Sequence, residues 1–149
     1  MNPKKYFVLI IDDHPLIVEA YETALKYYSK HNVNIEFSIH KAHNCDGGRQ
    51  LIKRVFRLRK KDSIIFLDIN LPQSKDGVIL SGEDLGLLAR KLLPRSKIIV
   101  STTLNNNYRI HSILRSIDPE GFLIKNDFLI KYTMSMLANF FLLLVIPLR

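Results

Sequence analysis

Cys45 is the only cysteine in this 149-residue chain. That excludes an intramolecular disulfide framework and fits a reducing compartment. No apolar run followed by a small-residue cleavage site opens the sequence. Ile10 and Ile11 lead straight into Asp12 and Asp13, so no secretory signal is expected. The stretch without charge from Met134 to Leu148 is shorter than the roughly twenty residues a membrane-spanning helix needs. Internal repeats, low-complexity tracts and interdomain linkers are all missing, which leaves one domain. With 47% apolar and 24% charged residues, wholesale disorder, collagen-like repeats and coiled coils are also excluded.

One sign of charge dominates what is present. Lysines and arginines number 22 against 14 acids, for a net charge of +8. Such a balance suits nucleic acid, an acidic partner or an anionic surface. The excess is concentrated between Arg49 and Lys61, with no aromatic stacking ladder or nucleic-acid module beside it. A solvated helix face is therefore the expected role of that run.

Apolar runs of strand length alternate with segments of helical period. Tyr6–Ile11 reads as a strand, and Leu16, Ile17, Ala20, Ala24, Leu25 and Tyr28 mark one face of a helix from Pro15 to Lys30. Ile35–Ile39 alternates like an edge strand. Asp46 is expected to cap a helix with Leu51, Ile52, Val55 and Phe56 buried. Ser63–Leu67 is continuously apolar, as a strand covered on both faces would be. Ser81 opens a helix to about Leu93, Lys97–Val100 is the next strand, and Asn107 to about Arg115 the next helix. Gly121–Ile124 is a fifth strand, with a last helix expected from Asp127. Five strand-then-helix repeats predict an α/β doubly wound parallel sheet.

Function in such sheets gathers outside the carboxyl ends of the strands. Asp12 and Asp13 close the first strand, Asp68 the third, Ser101-Thr102-Thr103 the fourth and Lys125 the fifth. Three carboxylates in one crevice repel one another, and a hard divalent ion such as Mg²⁺ relieves that cost. A carboxylate nucleophile, a metal, a positive charge and a hydroxyl are the parts phosphoryl transfer needs.

Ile10-Ile-Asp-Asp-His-Pro15, Phe66-Leu-Asp-Ile-Asn-Leu-Pro72, Ile98-Ile-Val-Ser-Thr102 and Gly121-Phe-Leu-Ile-Lys125 resemble, in order, the receiver domains of two-component response regulators. The opening is most similar to receivers that precede a LuxR-type helix-turn-helix, which links them to transcription regulation. The resemblance implies a flavodoxin-like (βα)5 fold with strand order 2-1-3-4-5. Residues 1–130 would form the receiver domain and 131–149 an atypical apolar C-terminal helix or tail. Asp68 would be the phosphoacceptor, supplied by a sensor histidine kinase or phosphotransfer protein. Asp12, Asp13, Asp68 and the backbone carbonyl of Asn70 would hold Mg²⁺. Lys125 would pair with the phosphoryl oxygens, and the Thr102 hydroxyl would bind them, with Thr103 the neighbouring alternative. Thr102 and Phe122 would be the switch pair that changes the surface from the fourth helix to the fifth. A cytoplasmic phosphoprotein, self-catalysing the transfer and otherwise not an enzyme, is implied.

Other signals are weaker. His40, His43 and Cys45 lack a fourth ligand for a zinc site, and Gly47-Gly48 lacks the spacing and lysine of a phosphate-binding loop. His14 is given no catalytic role. The loop from Gln73 to Leu80 is longer than usual in receivers and adjoins the site, where it bears on partner choice or phosphoryl lifetime. The apolar tail reads as a helix buried in a homodimer, a membrane-associating segment or a reading frame without its normal end. No DNA binding is expected from this chain alone. Two rival functions are a phosphorylation-independent interaction module and an aspartate-nucleophile phosphatase. The phosphatase would need an acid two residues after Asp68, where Asn70 cannot protonate a leaving group.

Overall fold

Strand β1 (Lys4–Ile11) is buried from Val8 onward and lies between β2 (Ile35–Ala42) and β3 (Ser63–Asp68), parallel to both. β4 (Lys97–Thr102) follows β3, and β5 (Gly121–Ile124) closes the far edge. The sheet order is therefore 2-1-3-4-5. Helices α1 (Pro15–His31), α2 (Cys45–Arg57), α3 (Gly82–Leu92) and α4 (Asn107–Ile117) make the crossovers. This computed structural model describes residues 2–103 and 106–125. The expected last helix and the tail readings lie outside the described residues.

The two faces of the sheet carry separate cores. Leu9, Ile11, Ile65, Leu67, Ile98 and Val100 meet α2, α3 and α4 on one face. Val8, Ile10, Ile64, Phe66 and Ile99 meet Val18, Tyr21, Ala24, Leu25 and Tyr28 of α1 on the other. Alternation along the strands, with a period of two, produces this division. All six residues of β3 are buried, as its continuous apolar run requires.

Several local expectations are corrected. Leu16 of α1 is 70% exposed, whereas Val18 and Tyr21 turn inward, so the buried stripe is rotated from the one read in the sequence. Asn44 caps α2 by accepting a 2.7 Å hydrogen bond from the Gly47 N–H. Asp46 instead sits in the first turn, where its charge favours the helix N-terminus. Phe56 is half exposed because it lies at the rim of α2, while Ile52 and Val55 are buried. The basic run is also not one helix face. Arg49 pairs with Asp46 and Asp76, and Arg59, Lys60 and Lys61 lie beyond the end of α2.

Two features fix the strand ends relative to one another. Arg90 donates to the Ile117, Ser96 and Asp118 carbonyls at 2.7–2.8 Å and pairs with Glu120 at 2.8 Å. Glu120 in turn accepts from the Ile98 N–H at 2.6 Å. This network joins α3, α4 and β4 at the entry to β5, the strand that leads to Lys125. At the other end of the sheet, the Gly82 N–H donates to the Ile69 carbonyl at 3.1 Å. A side chain at residue 82 would collide with the backbone carbonyl of Asp68, so only glycine lets α3 start this close to β3.

Candidate functional site

Two strand ends, those of β1 and β3, supply the acids of one crevice. Asp12 follows β1 and is 1% exposed; its N–H donates to the Ala42 carbonyl at 3.0 Å. Asp13 is the next residue and opens to solvent. Asp68 ends β3 and is also 1% exposed. Register pairs Asp68 with Ser101 of β4, and the Lys125 N–H donates to the Thr102 carbonyl at 2.7 Å. That hydrogen bond places the lysine at the mouth of the crevice.

The Lys125 Nζ lies 2.6 Å from Asp12 Oδ2 and 3.1 Å from Asp68 Oδ2. Its side chain is only 6% exposed, so the ion pairs are poorly screened. Both Oδ2 atoms are buried and accept no hydrogen bond with good geometry. Asp68 Oδ1 accepts the Asn70 N–H at 3.0 Å. Burial pushes the Asp68 carboxyl above the usual carboxylate range. The Asn70 N–H opposes that shift, Asp12 adds to it and Lys125 counters it.

His14 enters the same space. Pro15 confines the preceding residue to extended backbone, and His14 has φ −98° and ψ 107°. Its N–H donates to Asp12 Oδ1 at 2.9 Å. The ring Nδ1 stands 2.9 Å from Asp12 Oδ1, 3.0 Å from Asp13 Oδ1 and 3.6 Å from Asp68 Oδ2. The same nitrogen is 3.2 Å from Lys125 Nζ. Asp12, Asp13, His14 and Asp68 thus each offer a ligand atom within 4.8 Å of the others. A donor set of three carboxylates, two of them buried and facing the Lys125 ammonium, fits a divalent cation.

Beneath the crevice lies Tyr21, stacked on Phe66 with ring centroids 4.6 Å apart. Burial raises its phenol pKa well above the ordinary value; Ser101 works against this, and Asp12 and Asp68 add to it. Beside the crevice, the Asn70 side chain donates to Thr103 Oγ at 2.6 Å. Thr103 is exposed, while Thr102 is fully buried and, by alternation, shares the face of Val100. Phe122 is half buried against the core that holds Val100 and Ile113.

The long loop is an ordered rim. Ser74 Oγ donates to Asp76 Oδ1 at 2.6 Å, and the Val78 N–H donates to the same oxygen at 3.0 Å. Arg49 pairs with Asp76 at 2.9 Å, and the Lys75 N–H reaches Asp46 at 3.2 Å. The Ser74 hydroxyl, with the Val78 N–H and Arg49, brings the Asp76 carboxyl down to about 2.

Sequence reasoning thus located Asp12, Asp13, Asp68, Asn70 and Lys125 in one place. It missed His14, Tyr21 and the Thr103 contact. Pro15 signals the extended His14 backbone, but nothing local reveals where the ring ends up. The His40, His43 and Cys45 trio is dispersed. His40 bonds Ser38 and stacks on Phe7, His43 approaches the Asp12 carbonyl, and Cys45 is buried with its thiol pKa raised to about 11 by burial.

The topology and the crevice at the carboxyl ends define the flavodoxin-like fold of response-regulator receiver domains. A CheY-like receiver domain protein from Methanospirillum hungatei JF-1 matches with TM-score 0.62 at 17% identity, over 91% of this chain and 95% of that one. The Mn²⁺-bound form of the response regulator Rcp1 matches with TM-score 0.67 at 17% identity, over 96% of each chain. The isolated receiver domain of RcsB from Salmonella enterica serovar Typhimurium, with phosphomimetic BeF3⁻, matches with TM-score 0.56 at 23% identity, over 82% of this chain and 78% of that one. No family model matches the chain, and no curated protein does either. Among the described residues, no helix is long and apolar enough to cross a membrane.

Proposed function

We propose that the chain is a phosphorelay receiver, phosphorylated on Asp68 by a sensor histidine kinase or phosphotransfer protein in the cytoplasm. The observation that carries this reading is Lys125 Nζ at 3.1 Å from Asp68 Oδ2, inside a crevice also lined by Asp12 and Asp13. An Asp68 carboxylate oxygen attacks the phosphorus of a phosphohistidine. The O–P bond forms as the N–P bond breaks, and the departing imidazole keeps the bonding electron pair and is protonated from solvent. Mg²⁺, held by Asp12, Asp13, Asp68 and the Asn70 carbonyl, would neutralise charge on the transferring oxygens.

Lys125 would exchange its contact with Asp68 for one with the new phosphoryl group. A β4 hydroxyl would bind another phosphoryl oxygen. The sequence pattern assigns this to Thr102, whereas exposure and the bond to Asn70 favour Thr103. Movement at that strand end would open space for Phe122 and alter the surface running from α4. Asn70, two residues after Asp68, argues against the phosphatase alternative. The intact acid set and Lys125 argue against a phosphorylation-independent module. A link to transcription rests on the likeness to LuxR-type receivers.

Incubation with acetyl phosphate and Mg²⁺ should add one phosphoryl group by intact mass, and Asp68→Asn should add none. A gain that persists in Asp68→Asn refutes the site. In the same assay Thr103→Val should slow the reaction, on the order of 10²-fold if its hydroxyl stabilises the transferring oxygens.

A further inference from the structure

His14 accepts through its carbonyl from the Ile17 and Val18 N–H groups at 3.1 and 3.2 Å as α1 begins, but its ring takes no part in the helix. It precedes Pro15, the first residue of α1, and its side chain makes no cap hydrogen bond. Ser, Thr, Asp or Asn would cap that end better. The ring instead points its Nδ1 among carboxylate oxygens from two strand ends. Ligand atoms in adjacent positions of an octahedron with bonds of about 2.1 Å lie ~3.0 Å apart. The Nδ1 separations from Asp12 Oδ1 and Asp13 Oδ1 are 2.9 and 3.0 Å. Asp68 Oδ2 stands 3.6 Å from the same nitrogen, and Lys125 Nζ stands 3.1 Å from that oxygen and 3.2 Å from the ring nitrogen.

Resting on the reading of this crevice as the cation site of a receiver, we propose that His14 is itself a ligand to the cation. Its imidazole nitrogen joins the carboxylates and makes the site prefer a first-row transition ion such as Mn²⁺ over Mg²⁺. Mg²⁺ seeks oxygen donors and keeps its waters, whereas transition ions accept imidazole readily. Coordination through Nδ1 would use the lone pair of that nitrogen, with the ring proton on Nε2. The His14 side chain is about half exposed.

The experiment is a titration of the full chain with Mn²⁺, followed by electron paramagnetic resonance, and then competition with Mg²⁺. Pulsed measurements on the Mn²⁺ complex should show ¹⁴N modulation from a directly bound imidazole. Mn²⁺ should bind at least about tenfold more tightly than Mg²⁺, and His14→Ala should remove most of that preference and all of the modulation, leaving Mg²⁺ affinity within a few-fold. Circular dichroism confirms that the variant is folded, and His14→Gln provides a second variant that keeps a polar side chain. Mn²⁺ bound without ¹⁴N modulation, or an unchanged Mn²⁺/Mg²⁺ ratio in both variants, overturns the role of His14 while leaving the phosphoacceptor reading intact. Failure of the folded wild type to bind either ion overturns both.

Discussion

At the scale of single residues, the crevice concentrates like charge where water is scarce. Asp12 and Asp68 are each 1% exposed and share one ammonium, that of Lys125. Removing one buried carboxylate leaves Asp12 with Lys125 to itself, so without metal Asp68→Asn should raise the midpoint of thermal unfolding by a few degrees. The pH dependence follows from the raised Asp68 pKa. A carboxyl raised by folding favours the fold when protonated. That contribution is complete below the ordinary carboxylate pKa and is lost as pH rises through the raised value. The advantage of Asp68→Asn should therefore be small near pH ~4 and full at neutral pH. Thermal melts of both proteins across that interval test it, and a constant difference would contradict it.

At the scale of elements, the crevice depends on how closely helices approach strand ends. α3 starts against the backbone of Asp68 and Ile69 through Gly82. Backbone cannot swing aside like a flexible side chain, so Gly82→Ala should cost about 2–3 kcal/mol in urea unfolding. It should also lower phosphorylation of Asp68 in the protein that remains folded. A fully active, equally stable variant would contradict this close approach. The elements themselves were largely legible, because periods of two and 3.6 are local properties of the chain. The α1 stripe was read less well: Leu16 is apolar yet exposed, and Tyr21 is amphipathic yet buried under the carboxylates. Which apolar residue turns inward depends on the sheet it meets, and no single helix encodes that.

At the scale of the whole molecule, the two faces of the sheet are unequally covered. Three helices pack on the face of Leu9, Ile65 and Val100. Among the described residues, α1 alone packs on the face of Val8, Phe66 and Ile99, with Leu123 at its border. An apolar C-terminal segment is chemically suited to that face or to a second copy of the chain. Deletion of the residues after Ala138 should lower thermal stability and, if the tail forms a dimer, give monomers in sedimentation. Unchanged melting and an unchanged assembly state would exclude both roles.

The sequence by itself determined the alternation of strands and helices, the parallel sheet and the acidic and basic residues at its carboxyl edge, because each is written in short runs of neighbouring residues. Tertiary structure alone decided that one Lys125 ammonium bridges Asp12 and Asp68, that the His14 ring joins them, and that Thr103 faces Asn70. Those contacts depend on register between strands. A shift of one position at a strand end moves a hydroxyl from one face of the sheet to the other, and no local pattern records that shift.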